Sequence, residues 1–329
     1  MHEKSLYEQL SDKIFMTGSK LIPKLFAMVA DDTDAKLLLA MPGFTEELAN
    51  KLSLPKEDVQ KRADDMYHRG LVFKSVKGSQ TKYRMCRDLM QFHDATILWP
   101  EAPKNFHDLW QQYMEEEWPE YASFAEKLLT QPMIRVVPVN ENIDAATKVL
   151  PYEDAVAIIE NAEKIAVTKC TCRVIAHKCD SPLEVCLQIG KGAAYAIDRG
   201  TGRELTKEEA KKILKECEES GLIHTTMNKT SMDHFICNCC RCCCQMMPVI
   251  IKHGVNILAP SRYTAEIDKD TCTGCGLCID RCFFEAISLN DDVAKIDSAK
   301  CIGCGVCAVV CPVEAIVLKE TRPQDFIPQ

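Results

Sequence analysis

Two runs of cysteines near the carboxyl end have the spacing of metal ligands. The first run reads C-x2-C-x2-C-x3-C and consists of Cys272, Cys275, Cys278 and Cys282. The second run repeats that pattern and consists of Cys301, Cys304, Cys307 and Cys311. Zinc ribbons pair C-x2-C units across a longer gap, whereas a repeated run of four cysteines is typical of iron–sulfur cubes. The runs therefore predict two [4Fe–4S] clusters, whose chemistry is one-electron transfer.

The sequence around these runs resembles the bacterial two-[4Fe–4S] ferredoxin domain. The resemblance covers roughly residues 260–320 and rests on the aligned stretches CTGCGLCIDRCFFEAISL and CIGCGVCAVVCPVEAIVL. It implies that each run gives three ligands to one cluster and its fourth cysteine to the other. The implied ligand sets are Cys272, Cys275, Cys278 and Cys311, and Cys301, Cys304, Cys307 and Cys282. Phe283 stands where the family has proline, and we expect this departure to change packing without abolishing ligation.

A second concentration of thiols lies in the middle of the chain. The stretch CNCCRCCC holds six cysteines in eight positions, and KCTCRVIAHKCDSPLEVC precedes it. As a strand, it would place Cys237, Cys239 and Cys243 on one face. If it ends a strand and begins a helix, Cys240, Cys243 and Cys244 gather on one side. Either arrangement predicts one or two further iron–sulfur clusters, with a zinc site or metal-free thiols as alternatives. The candidate ligands are Cys170, Cys172, Cys179, Cys186, Cys237, Cys239, Cys240, Cys243 and Cys244.

Other residues near these thiols have ordinary structural interpretations. Cys217 is alone in a predicted helix and is interpreted as a small buried hydrophobe. For His177, His224 and His234 we favour surface or hydrogen-bonded positions over metal ligation. The glycine-rich run IGKGAAYAIDRGTGR lacks the order of a P-loop and is predicted to be a loop, with cofactor contact as the alternative.

The first part of the chain has a different organisation. Residues 31–90 have the order helix, helix, helix, hairpin, with Pro55 opening the third helix, Gly70 ending it, and a turn at Gly78 and Ser79. This order resembles a winged helix-turn-helix, whose third helix enters the major groove of DNA in the DNA-binding members. The basic residues of the wing would be Lys74, Lys77, Lys82 and Arg84.

The charge of the third helix decides between DNA and protein contacts. Its cations are cancelled by carboxylates in the stretch KEDVQKRADDMYHR. Since phosphate affinity needs uncancelled positive charge, we expect protein contact or dimerisation here, with DNA binding as the less favoured alternative. The next segment, residues 91–130, has Trp99, Trp110 and Trp118 at helical spacing, which favours core packing or homodimer contacts.

Composition sets the class of protein. The chain has 329 residues, of which 47% are apolar, and a net charge of -8, which argues against broad coating of nucleic acid. No run approaches the roughly 18 apolar residues that span a bilayer. The beginning, MHEKSLYEQLSDKIF, lacks the pattern of a signal peptide. The cysteines, 20 in all, are therefore expected to be reduced thiols of a cytoplasmic protein, and their abundance indicates metal binding rather than disulfides.

These observations predict an α+β multidomain protein. The predicted parts are a winged-helix-like α domain (1–90), a helical connector (91–134), a cysteine-rich α/β domain (135–258) and a ferredoxin-like two-[4Fe–4S] domain (259–329). The whole arrangement resembles multidomain iron–sulfur proteins of anaerobic bacteria and archaea, a resemblance that brings no defined reaction with it.

The function that this pattern favours is electron transfer. We expect an iron–sulfur protein or subunit that relays low-potential electrons through several clusters to a partner oxidoreductase. The alternative is a winged-helix regulator that senses redox state or iron. No acid–base pair or nucleophile is recognisable, so an enzyme acting alone is not favoured.

Overall fold

The computed structural model describes residues 3–78, 80–232 and 235–329. Ser79, Asp233, His234, the first two residues and the side chain of Lys77 lie outside this description. The chain divides into two compact units, residues 1–119 and 120–329. The finer division into four parts stays a prediction. Within the described residues, no helix is long and apolar enough to cross a membrane.

The first unit is mainly helical, with a small antiparallel sheet. Its elements are α1 Leu6–Lys13, α2 Ile22–Val29, α3 Asp32–Ala40, β1 Gly43–Phe44, α4 Thr45–Leu52, α5 Lys56–Arg69, β2 Val72–Lys77, β3 Gln80–Met85, α6 Leu89–Ile97 and α7 Lys104–Glu116. Strands β2 and β3 form a hairpin, and β1 pairs with the outer edge of β3. Asp31 caps α3 through its side chain, and Gly70 ends α5 with a left-handed conformation.

Helix α5 occupies the place of the predicted third helix. Its apolar side is buried, and two of its cations are bound within the unit. Arg62 binds Asp31 and Asp34, and Arg69 binds the second carboxylate oxygen of Asp34 at 3.0 Å. On the hairpin, Lys74 lies 4.0 Å from the ring centroid of Tyr67. The assignment of this unit as a winged helix stays a prediction.

An aromatic cluster fills the rest of the first unit. Trp110 is fully buried against Phe92, Phe106 and Tyr113. Phe26 stacks on Phe92 with a centroid separation of 4.0 Å. The Trp110 side chain therefore belongs to the core of its own unit rather than to an exposed face. Helix α8, Trp118–Leu128, follows and crosses the division between the units.

The second unit contains the thiol-rich part of the chain. Its first elements are β4 Ile134–Val136, α9 Ala155–Asn161, β5 Ile165–Lys169, α10 Thr171–Ala176, β6 Glu184–Ile189, α11 Lys191–Asp198, β7 Gly202–Glu204, α12 Lys207–Glu219, β8 Ile223–Met227, β9 Phe235–Cys239, α13 Met246–His253 and β10 Leu258–Ala259. The strands form one sheet in the order β10-β4-β8-β9-β6-β5-β7. Ile158, Leu187 and Leu214 lie in the core between this sheet and helices α9 and α12.

The direction of the strands corrects one expectation. The middle region was expected to be α/β, but its described strand pairs are antiparallel apart from β4 with β10. The connection from β8 to β9 contains no helix and pairs these strands antiparallel, as in a hairpin. Strand β5 pairs antiparallel with both β6 and β7, although helices lie in the connections between them, so these connections are not the crossovers of a parallel sheet. The region is therefore α+β, in keeping with the predicted class of the whole chain.

The carboxyl-terminal region is small and rich in short elements. They are β11 Tyr263–Ile267, α14 Leu277–Arg281, β12 Ile287–Asn290, β13 Val293–Ile296, α15 Val306–Val309 and β14 Ile316–Glu320. Strand β11 pairs with β14, and β12 pairs with β13. A buried ion pair joins this region to the preceding one, because the guanidinium of Arg262 donates to both carboxylate oxygens of Glu153, at 2.5 and 2.9 Å.

Candidate metal centres

Six thiols of the middle region form a row of hydrogen-bonded sulfur atoms. In spatial order the row consists of Cys170, Cys172, Cys244, Cys239, Cys237 and Cys186. Cys172 donates to both of its neighbours, which raises its pKa, whereas the pKa of Cys244 is lowered because it accepts from Cys172 and Cys239. Elements that are distant in sequence build the row: the start of α10, the end of β9 and the turn after it.

Four other thiols form a compact group beside the row. They are Cys179, Cys240, Cys242 and Cys243, and their sulfur atoms all lie within 4.8 Å of one another. Cys179 comes from the loop between α10 and β6, and the other three come from the turn between β9 and α13. Hydrogen bonds from Ser181 and from neighbouring thiols outweigh the effect of partial burial and lower the pKa of Cys179 to about 6.

The structure corrects the geometry expected for the stretch CNCCRCCC. Helix α13 begins at Met246, after the last of the six thiols, so Cys240, Cys243 and Cys244 do not share a helix face. The turn sends Cys244 into the row, whereas Cys240 and Cys243 join the compact group. Cys242 was not among the candidate ligands; a strand places it on the face of Cys240 and Cys244, opposite Cys243, whereas the turn brings it together with both Cys240 and Cys243.

A buried arginine lies between the two groups of thiols. Arg173 donates to the carbonyl oxygens of Pro182 and Asn238 at 2.8 and 2.7 Å. Burial opposes its charge, but the nearby Cys170 and Cys240 thiolates raise its pKa above the ordinary value. The fixed positive charge favours thiolates on both sides, which is the protonation state that metal ligation requires.

The remaining thiols and histidines have no place in these groups. Cys217 is fully buried in α12, and burial raises its pKa to about 12. His224 is also buried and is hydrogen-bonded through its two ring nitrogens to Asn238 and Glu218. His177 is exposed at the end of α10. His234 lies outside the described residues.

In the carboxyl-terminal region, the eight cysteines of the two runs gather in two sets. One cavity is lined by Cys272, Cys275, Cys278 and Cys311. The second set brings Cys301, Cys304 and Cys307 together with Cys282. In each set, three thiols come from one run and the fourth from the other. This exchange arises because the fourth cysteine of each run lies beyond a short helix, α14 or α15, that leads away from its own loop.

Burial, neighbouring thiolates and backbone N–H groups determine the pKa values and the orientation of the thiols in the two sets. Burial and the neighbouring Cys301 and Cys282 thiolates raise the pKa of Cys304 to about 12. Thiols held so close stay protonated unless a cation binds them. The backbone N–H groups of Ala286 and Ala315 donate to the sulfur atoms of Cys282 and Cys311 at 3.3 and 3.2 Å. Such bonds orient thiolate ligands and tune the potential of a bound cluster.

The ligand loops need glycine for steric reasons. A Cβ atom on Gly303 would lie 2.1 Å from the carbonyl oxygen of Tyr263, and one on Gly274 would lie 2.2 Å from that of Asp292. Both residues have positive φ angles, of 66° and 68°. The loops therefore lie against the adjoining backbone more closely than any side chain permits.

Comparison with known proteins agrees with this arrangement. Residues 265–318 match the family model of the 4Fe-4S dicluster domain. The carboxyl-terminal region is a ferredoxin-type domain. A curated relative, a probable ferredoxin of Methanosarcina thermophila, is 61% identical over 28 residues, which are 8% of this chain and 48% of that protein. The chain thus spans about half the length of that relative. No solved structure matches the chain. The ferredoxin-type domain and the compact cysteine group support an iron–sulfur electron-transfer role.

The ferredoxin-type domain adjoins the row of thiols through an apolar core. This core contains Cys239 and Cys244 of the row, and Val306 of α15, with Cys304 packed against it. Phe283 packs against the same core, together with the next residue, Phe284. The aromatic side chain in place of proline thus packs against a core to which both the middle region and the ferredoxin-type domain contribute.

Proposed function

We propose that the chain is a cytoplasmic electron-transfer protein or subunit that relays low-potential electrons to a partner oxidoreductase through several [4Fe–4S] clusters. The observation that carries the proposal is the shared apolar core, which contains Cys239 and Cys244 of the row and against which Cys304 of the ferredoxin-type domain packs. Two thiolate sets that adjoin across a water-poor contact suit transfer inside the protein rather than two independent metal sites.

Each proposed cluster has its own set of cysteine ligands. The ferredoxin-type domain would use Cys272, Cys275, Cys278 and Cys311 for the first cluster, and Cys301, Cys304, Cys307 and Cys282 for the second. The row would supply four of its six thiols to a further cluster. When bound, such clusters supply one-electron transfer without a free iron site. The protein excludes water, orients the sulfur atoms with backbone N–H groups, and offsets their charge with Arg173.

The first ligand set is the proposed port for the partner. Cys275 and Leu277 are exposed, whereas Cys307 of the second set is buried. Exposed carboxylates, among them Asp270 and Asp280, lie near these residues in the sequence. Since opposite charge steers the encounter of redox proteins, the partner would present a basic face.

The regulator alternative receives less support. DNA binding through α5 would need its cations to be free, but Arg62 and Arg69 are held by Asp34 within the first unit. Phosphate contacts would have to displace these ion pairs. We therefore assign the first unit to protein contacts.

Metal analysis tests the number of clusters. After anaerobic purification we expect about twelve iron and twelve sulfide per chain, from the ferredoxin pair and one cluster in the row. Cys244→Ser should lower both counts by about four. The control Cys217→Ala should keep them, because that thiol is buried and belongs to neither thiol group. A wild-type count of about eight, unchanged by Cys244→Ser, would remove the row from the proposal.

Electron paramagnetic resonance tests the potential. Low-potential clusters give signals after reduction with dithionite and none with ascorbate. Signals that appear with ascorbate alone would contradict a low-potential relay. Cys282→Ser should alter the signal of the second cluster, since its fourth ligand is supplied from the first run.

A further inference from the structure

The sulfur atoms of the compact thiol group lie closer together as a set than those of the other thiol sets among the described residues. The sulfur atoms of Cys179 and Cys243 are 3.6 Å apart, and those of Cys242 and Cys243 are 3.8 Å apart. Among the described residues, no other group of three or more possible ligands has all its atoms within 4.8 Å of one another. The eight thiols of the ferredoxin-type domain, which suit two cubes, are therefore spread more widely than these four.

Sulfur separation distinguishes a single ion from a cube. Around one tetrahedral ion with metal–sulfur bonds of about 2.3 Å, neighbouring thiolate sulfurs are about 3.8 Å apart. In a [4Fe–4S] cube each thiolate binds its own iron, so the four sulfur ligands stand outside eight cluster atoms. Four sulfur atoms that all lie within 4.8 Å of one another leave no room for such a cube between them. We propose that Cys179, Cys240, Cys242 and Cys243 bind one tetrahedral transition-metal ion, zinc or iron, separate from the iron–sulfur clusters.

The same distances exclude disulfides as the explanation of the group. A disulfide needs a sulfur–sulfur distance of about 2.05 Å, and Cys243 makes equally close contacts with two different partners. All four cysteines are free. Four sulfur atoms that lie close together without forming disulfides surround one position that a metal ion could occupy.

The surroundings suit a closed thiolate site with access from one side. Cys240 and Cys243 are buried, Cys179 is half-buried and Cys242 is exposed, so an ion can enter past Cys242. The backbone N–H of Lys178 donates to the sulfur of Cys243. A divalent ion with four thiolates has a net charge of -2, which Arg173 partly offsets from the buried side. Binding releases the remaining thiol protons, and no electron is transferred.

The proposed site would join two segments that are distant in sequence. It ties the loop between α10 and β6 to the turn between β9 and α13. That turn is continuous with Cys239 and Cys244 of the row, one on each side of it. The ion would therefore hold the turn and so position both row thiols. The inference does not depend on the electron-transfer proposal.

Metal content and X-ray absorption of the full-length protein test the site. We expect about one zinc, or one iron beyond the sulfide-matched count, with four sulfur neighbours at about 2.3 Å. An X-ray absorption edge of zinc would identify a zinc ion. An electron paramagnetic resonance signal of high-spin ferric iron in the oxidised protein would identify an iron ion. Cys242→Ser, an exposed and conservative change, should remove that ion and leave the acid-labile sulfide unchanged. Cys179→Ser should do the same from the opposite segment.

Controls separate this site from its neighbours. Cys217→Ala, in the same apolar cluster as Cys240 and Cys243, should keep the ion. Cadmium titration of the apoprotein gives a second measurement, because thiolate-to-cadmium absorption should fall by about one site in Cys242→Ser. The proposal is overturned if wild type holds no such ion, if both variants retain it, or if sulfide falls by about four with Cys242→Ser. Loss of the row cluster with Cys244→Ser alone bears on the relay and not on this site.

Discussion

At the scale of single residues, spacing predicted the two runs of cysteines but not the partition of the central six. The runs were recognisable because each ligand loop is local and repeated. The compact group depends on Cys179, which lies far upstream, and on a turn whose dihedral angles the sequence CNCCRCCC does not specify. Cys242 was missed because a period of two groups it with Cys240 but separates it from Cys243, and neither regular period describes a turn that gathers all three.

Arg173 is the residue on which both central thiol groups depend. We predict that Arg173→Met lowers the free energy of unfolding by about 2–4 kcal/mol, because two buried carbonyl oxygens lose their donors. Anaerobic urea unfolding followed by circular dichroism measures the change. Arg241→Gln is the matched control, since that side chain is half exposed and forms only a surface ion pair with Glu285. Equal stability of the two variants would contradict this role of Arg173.

At the scale of elements, the order of helices and strands is local, whereas their pairing is not. The capping residues of α3 and the end of α5 at Gly70 follow from short sequence signals. In the large antiparallel sheet β9 lies between β6 and β8. Pairing between strands that are distant in sequence has no local sequence signal, so it could not be predicted. The apolar packing of Phe283 belongs to the same class, since most of the core against which it packs comes from the middle region, far upstream in the sequence.

Phe283 should stabilise the contact between the ferredoxin-type domain and the middle region. We predict that Phe283→Ala costs about 1–3 kcal/mol of unfolding free energy, because a partly buried ring leaves an apolar core. Pro312→Ala changes the equivalent, exposed position of the second run and should have little effect. Thermal unfolding of the reduced holoproteins compares the two. A larger loss of stability in Pro312→Ala than in Phe283→Ala would contradict the stabilising role of the Phe283 ring.

At the scale of the whole molecule, one buried ion pair links the two thiol-bearing parts of the second unit. Glu153 and Arg262 are both fully buried, and the guanidinium also donates to the carbonyl oxygen of Arg322. Composition indicated an acidic chain with a sizeable core, but it could not indicate where opposite charges would be buried together. Such a pair is costly to desolvate, and it favours one relative placement of the segments that carry it.

Breaking that pair should destabilise the second unit as a whole. We predict that Glu153→Gln lowers the free energy of unfolding by about 3–5 kcal/mol, because the buried Arg262 loses its fully buried carboxylate partner and keeps only the partly exposed Glu320. Glu216→Gln removes a carboxylate from an exposed ion pair with Lys212 on α12, and it should cause no measurable change. Urea unfolding at neutral pH gives both values. A small loss in Glu153→Gln would mean that Glu320, 2.7 Å from the same guanidinium, compensates.

The turn between β9 and α13 has a thermodynamic consequence for how the protein acquires its metals. Three of its thiols belong to the compact group, and the thiols that flank them, Cys239 and Cys244, belong to the row. The conformation that suits one site therefore also brings ligands of the other into place. The first metal centre to bind loses part of its binding free energy to ordering the turn, and the second then binds to a turn that is already ordered. Loading is then cooperative, and partly metallated chains are scarce at equilibrium.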